Sequence, residues 1–151
     1  MTATPDDRRR VAELLGREPS GEFIVVVRDA DGTPAVIRNH AFMDDGTPMP
    51  TLYWLCSREL TLEVSHIEAA GGVDHAEAEV DDAELERAHR AYAIERDALI
   101  PNDFEGPKPS GGVAGTRTGV KCLHAHLAYL LAGGDDPVGR WVRDRLDKVV
   151  P

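Results

Sequence analysis

The chain has few cysteines, few aromatic residues and no long apolar run. Its 151 residues include only two cysteines, Cys56 and Cys122, and 5% aromatic residues. No apolar run approaches the roughly 18–20 residues that a membrane-spanning helix requires. The remaining composition, 42% hydrophobic and 29% charged residues, is ordinary for a globular protein. A chain of this length buries a core as one unit, so we expect a single domain over residues 1–151.

The scarcity of cysteine also bears on the cellular compartment. Two cysteines in a chain of this length fit reduced thiols better than a disulfide framework. The first ten residues, MTATPDDRRR, lack the apolar core of a signal peptide. We therefore expect a cytoplasmic protein that does not associate with a membrane.

Basic residues are outnumbered by acidic residues, which limits the classes of binding partner that are expected. The chain has 17 Lys and Arg against 27 Asp and Glu, a formal net charge of −10. Nucleic acids are bound by clustered Lys and Arg, so DNA or RNA is not expected as a partner. The acidic run from Asp74 to Glu86 is expected to be a solvated face, or alternatively a docking surface for a basic protein partner.

Hydrophobic periodicity and turn residues predict an α+β fold. Strands are expected at 22–28, 34–38 and 51–56, and the turn sequence DADG between the first two predicts a hairpin. Helices are expected at about 5–15, 57–70, 74–99 in one or two pieces, 118–132 and from 137 onward. The prediction is a small antiparallel sheet of about three strands packed by about five helices. A flexible Pro/Gly-rich loop is expected at about 101–117.

Residues 111–126, GGVAGTRTGVKCLHAH, combine four glycines with basic, thiol and imidazole groups. A glycine-rich loop that enters a helix presents free backbone N–H groups at the positive end of the helix dipole. Arg117 and Lys121 add charge, Thr118 adds a hydroxyl, and Gly119 allows close approach. This pattern predicts a site for a small anionic molecule such as a phosphate, although the spacing is not that of a Walker loop.

The same segment carries residue types that bind zinc. Cys122, His124 and His126 are all suitable ligands, and a divalent metal is therefore one alternative. If the segment is helical, Cys122 and His126 share a face and His124 points away, so Cys56 or His66 would have to complete the site. An extended segment would instead place alternate residues together.

Acid/base and nucleophilic chemistry is a further alternative at these positions. Cys122 near a helix N-terminus has the setting of a reactive thiol, and His124 and His126 are candidate acid/base groups. The competing interpretation makes Cys122 and His124 ordinary core residues. Arg58 and Glu68 are alternative polar members of such a site, or solvent-exposed residues.

Four segments carry a resemblance to a known family. They are DGTPMPTLYWL at 45–55, IEAAGGV at 67–73, TGVKCLHAH at 118–126 and GGDDPVGRW at 133–141. In these segments, and over nearly its whole length, the chain resembles the bacterial domain-of-unknown-function family 501. The resemblance implies a small cytoplasmic protein, and supplies no catalytic residue. Genes of the family often lie beside those of a septum-formation initiator and an exopolyphosphatase-type phosphatase, which implies an association with cell division or phosphate metabolism.

Three functions follow from the sequence as alternatives. The first is binding of a phosphate-type ligand at residues 111–126, with hydrolysis or group transfer if the protein is an enzyme. The second is a non-catalytic interaction protein linked to division or phosphate control, with an exposed apolar patch near Trp54 or Trp141. The third is a Cys/His metal-binding protein.

Overall fold

The computed structural model describes residues 2–151 and has the expected α+β composition. Its elements, in chain order, are α1 (Pro5–Leu15), β1 (Gly21–Arg28), β2 (Pro34–Met43), β3 (Tyr53–Leu55), α2 (Arg58–Ala69), α3 (Gly72–Glu79), α4 (Asp82–Asp97), a short 3-10 turn (Val113–Gly115), α5 (Leu123–Leu131) and α6 (Pro137–Arg143). Within the described residues there are thus six α-helices rather than about five, because the acidic segment forms two.

The sheet is antiparallel with β2 at its centre. The strand order is β1-β2-β3, and the register pairs Ile24 with Arg38 and Ile37 with Trp54. Strand β2 continues five residues beyond the predicted 34–38, and β3 is shorter than the predicted 51–56. The extension of β2 pairs with the start of β1, where Gly21 lies opposite Met43.

Helix α1 covers one face of the sheet. Thr4 caps it by accepting a hydrogen bond from the backbone N–H of Asp7, and Gly16 ends it with a left-handed φ of 74°. Val11 packs with Phe23 and Ile37 in a small cluster, and all three are fully buried. The first helix and the hairpin therefore share one apolar layer.

Helix α5 lies at the centre of the larger core. Leu123, Leu127 and Ala128 are fully buried, and α5 packs against β3, α2 and α6. Helices α2 and α5 are thereby held side by side, which positions the candidate site described below. Among residues 2–151 no helix has both the length and the apolar character needed to cross a membrane.

The start of α5 corrects one prediction. The helix begins at Leu123, five residues after the expected start near Thr118. Gly119 has a φ of 72°, and Cys122 has extended backbone angles of −140° and 112°. Because these conformations are not helical, residues 118–122 belong to the preceding loop.

Candidate metal-binding site between helices α2 and α5

Three side chains with metal-binding atoms meet where the end of α2 lies beside the start of α5. They are Glu68, Cys122 and His124, and one ligand atom from each lies within 4.8 Å of the other two. The Nδ1 atom of His124 is 3.3 Å from Oε1 of Glu68 and 3.9 Å from Sγ of Cys122. All three residues are partly buried, so the cluster is shielded but reachable from solvent.

The late start of α5 explains why these residues meet. Cys122 is the N-cap residue, and its extended backbone places its side chain beside that of His124 instead of one turn below His126. The pairing of Cys122 with His126 was conditional on a helix from residue 118, and the helix does not begin until Leu123. The extended alternative, in which residues two apart come together, describes this local geometry.

Glu68 joins the two helices through one carboxylate. Its Oε2 atom accepts a hydrogen bond of 2.8 Å from the backbone N–H of Leu123, the first residue of α5. That N–H has no partner within its own helix, so the carboxylate satisfies it and complements the helix dipole. The other oxygen, Oε1, faces His124.

The second ring nitrogen of His124 is fixed by helix α2. Nε2 lies 3.1 Å from the carbonyl oxygen of Thr61 and 3.1 Å from Oγ of Ser65. A carbonyl oxygen only accepts hydrogen bonds, so Nε2 carries a hydrogen and donates it. In the neutral ring, Nδ1 is then the atom with a free electron pair, and it points toward Glu68 and Cys122.

The environment of His124 has opposing effects on its pKa. Burial alone disfavours the charged ring, whereas the contacts with Cys122, Thr61 and Glu68 favour it, and the net effect raises the pKa above its ordinary value. The site therefore stabilises a positive charge at Nδ1, between a carboxylate and a sulfur atom.

Two of the three separations within the cluster are close to those of a metal centre, and the third, between Glu68 and Cys122, is within 4.8 Å. Around Zn²⁺, tetrahedral ligand atoms at bond lengths of about 2.0–2.3 Å lie about 3.3–3.7 Å apart. The separations of 3.3 Å and 3.9 Å at Nδ1 need only small side-chain adjustments to reach these values. An ion bound there would use the free electron pair of Nδ1 and take the place of the second proton that the charged ring carries at that atom.

A cavity of about 290 Å³ adjoins two of the three side chains. Cys122 and His124 form part of its wall, Leu15, Trp54, Leu55 and Ala125 provide apolar surface, and Arg17 contributes one positive charge. The guanidinium carbon of Arg17 lies 5.0 Å from the centre of the Trp54 ring. The site therefore opens onto a pocket that is mostly apolar.

The predicted anion-binding residues lie in a different cavity. Arg117, Thr118 and Gly119 line a space of about 520 Å³. The other lining residues include three acidic side chains, Glu77, Asp82 and Glu86. Lys121 is exposed and is not part of this wall. The carboxylates weaken the attraction of this cavity for an anion.

A carboxylate of the chain already occupies part of the predicted anion site. Oε1 of Glu77 accepts a hydrogen bond of 2.8 Å from the backbone N–H of Val120. A Cβ atom on Gly119 would lie only 1.9 Å from this oxygen. Glycine at position 119 is thus favoured both by its positive φ and by the approach of the Glu77 side chain. Together with Glu68 at Leu123, protein carboxylates take two of the N–H groups that the sequence offers to a ligand.

His126 lies apart from the cluster and is fully buried. Its Nδ1 atom is 2.6 Å from Oδ2 of Asp136, whose other oxygen caps α6 by accepting from the N–H groups of Val138 and Gly139. Its Nε2 atom has no hydrogen-bond partner. Both side chains of the pair are 0% exposed, which favours a structural link between α5 and α6 over contact with a substrate.

The other residues named as metal partners lie elsewhere. Cys56 is buried in the cluster beneath α1, and burial raises the pKa of its thiol to about 12. Both cysteines are free. His66 is exposed and is not part of the Glu68 cluster, and Arg58 is exposed. Of the residues weighed from the sequence, Glu68 thus takes the place assigned to Cys56 or His66.

Two groups that orient the histidines were not predicted from the sequence. The carbonyl of Thr61 orients His124, and Asp136 orients His126. A backbone carbonyl has no signature in a sequence, so the role of the Thr61 carbonyl could not be predicted. The second had a signal, because Asp136 precedes Pro137 as a helix cap, but the cap gave no indication of a second bond to histidine.

Comparison with known proteins identifies the family but no activity. Comparisons with curated proteins and with solved structures return no match. A family model described as a protein of unknown function (DUF501) matches residues 25–144, which include both helices of the candidate site. Because this match covers most of the 151 residues, the chain belongs to the DUF501 family of proteins of unknown function.

Proposed function

We propose that this protein binds a transition-metal ion of the zinc type through Glu68, Cys122 and His124, with one coordination position open. The observation that carries the proposal is the orientation of His124, whose Nε2–H is held by the carbonyl of Thr61. Histidines that bind metals commonly donate their second ring N–H to such an acceptor. The electron pair on Nδ1 is thereby directed toward the other two ligands.

The donor set favours zinc over harder cations. A thiolate sulfur and an imidazole nitrogen suit Zn²⁺, whereas Mg²⁺ and Ca²⁺ prefer oxygen ligands only. Glu68 supplies the single carboxylate, and its second oxygen is anchored by the N–H of Leu123. An anchored carboxylate keeps its free oxygen in place and lowers the cost of ordering the site.

Three protein ligands leave a tetrahedral ion one position for a further ligand. Sites with this composition bind a water molecule or a substrate at the fourth position, whereas structural zinc sites have four protein ligands. The cavity of about 290 Å³ beside Cys122 and His124 provides room for such a ligand. The proposed function is therefore metal-dependent binding of a small molecule.

A zinc titration tests the proposal. The reduced protein is titrated with Zn²⁺ against a chelating indicator, and we expect one tight site per chain. Cys122→Ser and Glu68→Gln are expected to weaken the affinity by about 100-fold or more, because each removes a charged ligand. His66→Gln changes an exposed histidine of the same helix and is expected to bind zinc like the unaltered protein. Equal affinities for the unaltered protein and Cys122→Ser would rule the site out.

The phosphate-type ligand predicted for residues 111–126 stays a prediction. In its favour, Arg117 is exposed and no carboxylate of residues 2–151 lies within ion-pair distance of it. Against it, three acidic residues share its cavity. Stabilisation by inorganic phosphate that disappears in Arg117→Ala would support this second function.

A further inference from the structure

We infer that the cavity beside Cys122 and His124 binds a small carboxylic acid with an apolar body of about ten non-hydrogen atoms. The inference names the ligand class of the proposed metal site and rests on that proposal for the ligand's approach to the metal. The fit of the acid to the cavity rests on separate observations, which concern its volume, its walls and its single charge.

The volume sets the size of the ligand. A cavity of about 290 Å³ is at the lower end of small-molecule sites. Since a water molecule occupies about 30 Å³ in the liquid, the space accommodates about ten non-hydrogen atoms. A straight-chain acid of about eight carbons fits this space.

The walls determine that most of the ligand is apolar. Leu15, Trp54, Leu55 and Ala125 line the cavity and come from α1, β3 and α5. Leu55 and Ala125 are buried residues of the main core, so these parts of the wall are held firmly. An alkyl chain that packs here leaves water for a preformed apolar surface.

Arg17 is exposed, lines the cavity and supplies the positive charge that we expect the ligand to match. It follows Gly16 at the end of α1, its guanidinium lies over Trp54, and no carboxylate of residues 2–151 lies within 4.0 Å of it. A Zn²⁺ ion bound by one thiolate and one carboxylate is neutral overall. The uncompensated positive charge of the cavity is therefore that of Arg17, and its planar donors suit a carboxylate.

The test compares octanoate with octanamide, which have the same size but differ in charge. Binding is followed by the fluorescence of Trp54 in a Trp141→Phe background, which removes the second tryptophan. Octanoate is expected to bind about tenfold more tightly, since a charge-assisted contact is lost in the amide. Affinity is also expected to rise about fourfold per methylene from butanoate to octanoate and to rise no further with dodecanoate.

Two arginine variants test whether Arg17 is the positive charge that binds the carboxylate of octanoate. Arg17→Gln is expected to bind octanoate and octanamide equally, whereas Arg117→Gln, in the other cavity, is expected to keep the preference for the acid. If the unaltered protein shows no preference, or Arg17→Gln retains it, the inference is wrong.

The zinc titration separates this inference from the proposed function. Zinc binding without any preference for octanoate would overturn the inference and leave the metal site standing. Preference for octanoate in a protein that does not bind zinc would overturn the metal site and leave the cavity ligand standing. With Co²⁺ in the site, octanoate is expected to change the visible absorption spectrum, and an unchanged spectrum on saturation would show that the acid does not reach the metal.

Discussion

Glu68 binds the first two residues of helix α5 with one carboxylate, and its contact with His124 is the central relationship of the candidate site. Oε1 of Glu68 lies 3.3 Å from Nδ1 of His124, and Oε2 accepts from the N–H of Leu123 at 2.8 Å. The same side chain thus caps a helix and faces a potential metal ligand. These two tasks are separable by mutation.

Glu68→Ala is expected to lower the free energy of unfolding of the metal-free protein by about 1–2 kcal/mol, because the N–H of Leu123 loses its partner. Glu68→Gln keeps an acceptor oxygen for that N–H and is expected to retain most of the stability. Both variants are expected to lose zinc affinity. Urea unfolding in the presence of a chelator measures the difference, and equal stability of the two variants would show that Glu68 does not cap α5.

Gly119→Ala is expected to destabilise the protein more than Gly16→Ala does. Both glycines have a φ near 70°, but open space surrounds Gly16, whereas a Cβ on Gly119 meets the carboxylate of Glu77. The side chain of Glu77 would move away and give up its bond to the N–H of Val120. Gly119→Ala is therefore expected to lower the free energy of unfolding by about 1 kcal/mol more than Gly16→Ala does, as measured by urea unfolding of both variants. Equal decreases in the free energy of unfolding would mean that the contact of Glu77 with Val120 does not contribute to stability.

Asp136→Ala is expected to lower the free energy of unfolding by about 3 kcal/mol or more. The substitution leaves the buried His126 without its hydrogen-bond partner and removes the cap of α6. The adjacent Asp135 is a matched control, since its side chain is 93% exposed and pairs with Arg140 at the surface. Asp135→Ala is expected to change stability little. Thermal unfolding distinguishes the two, and similar effects at both positions would contradict the buried pairing.

His89 gives the stability a defined pH dependence. Its Nδ1 accepts from the N–H of Val113, and its Nε2–H donates to the carbonyl of Gly119. Burial lowers the pKa of this ring in the folded protein. The unfolded chain therefore takes up a proton first as the solution is acidified, so the contribution of His89 is complete above about pH 6.5 and is lost as the pH falls through the folded pKa.

The protonation of His89 is measurable by NMR of the imidazole nitrogens. The ring is expected to stay neutral, with its hydrogen on Nε2, at pH values just below 6.5, the ordinary imidazole pKa of about 6.5 being lowered here by burial. His89→Gln is expected to flatten the pH dependence of unfolding in the same range. Protonation of His89 with a midpoint at or above about pH 6.5, the ordinary imidazole pKa, would contradict the assignment.

The elements that depend on local sequence were predictable. The β-branched strands and the turn at 29–32 predict the hairpin. The N-cap residues Thr4 and Asp136, which are recognisable in the sequence, precede α1 and α6. Local signals suffice at these positions because a cap or a tight turn is satisfied by residues a few positions away.

The candidate site was predictable only in part. Cys122 and His124 were both candidates, but their meeting depends on where α5 begins. That boundary is set by Gly119 and by a bond from Leu123 to Glu68, 55 residues earlier in the chain. Contacts over such a distance leave no periodic pattern, so the sequence predicted a helix from about Thr118 and left the choice between the helical and extended pairings open. For the same reason the carboxylates that share a cavity with Arg117 were not predicted.

The measurement that tests the metal site most directly is anomalous X-ray scattering at the zinc edge from crystals of the zinc-loaded protein. We expect one strong anomalous peak per chain, at about 2.0–2.3 Å from Oε1 of Glu68, Sγ of Cys122 and Nδ1 of His124. A peak located elsewhere, or none at this position in a protein that retains one zinc per chain, would contradict the proposed metal site.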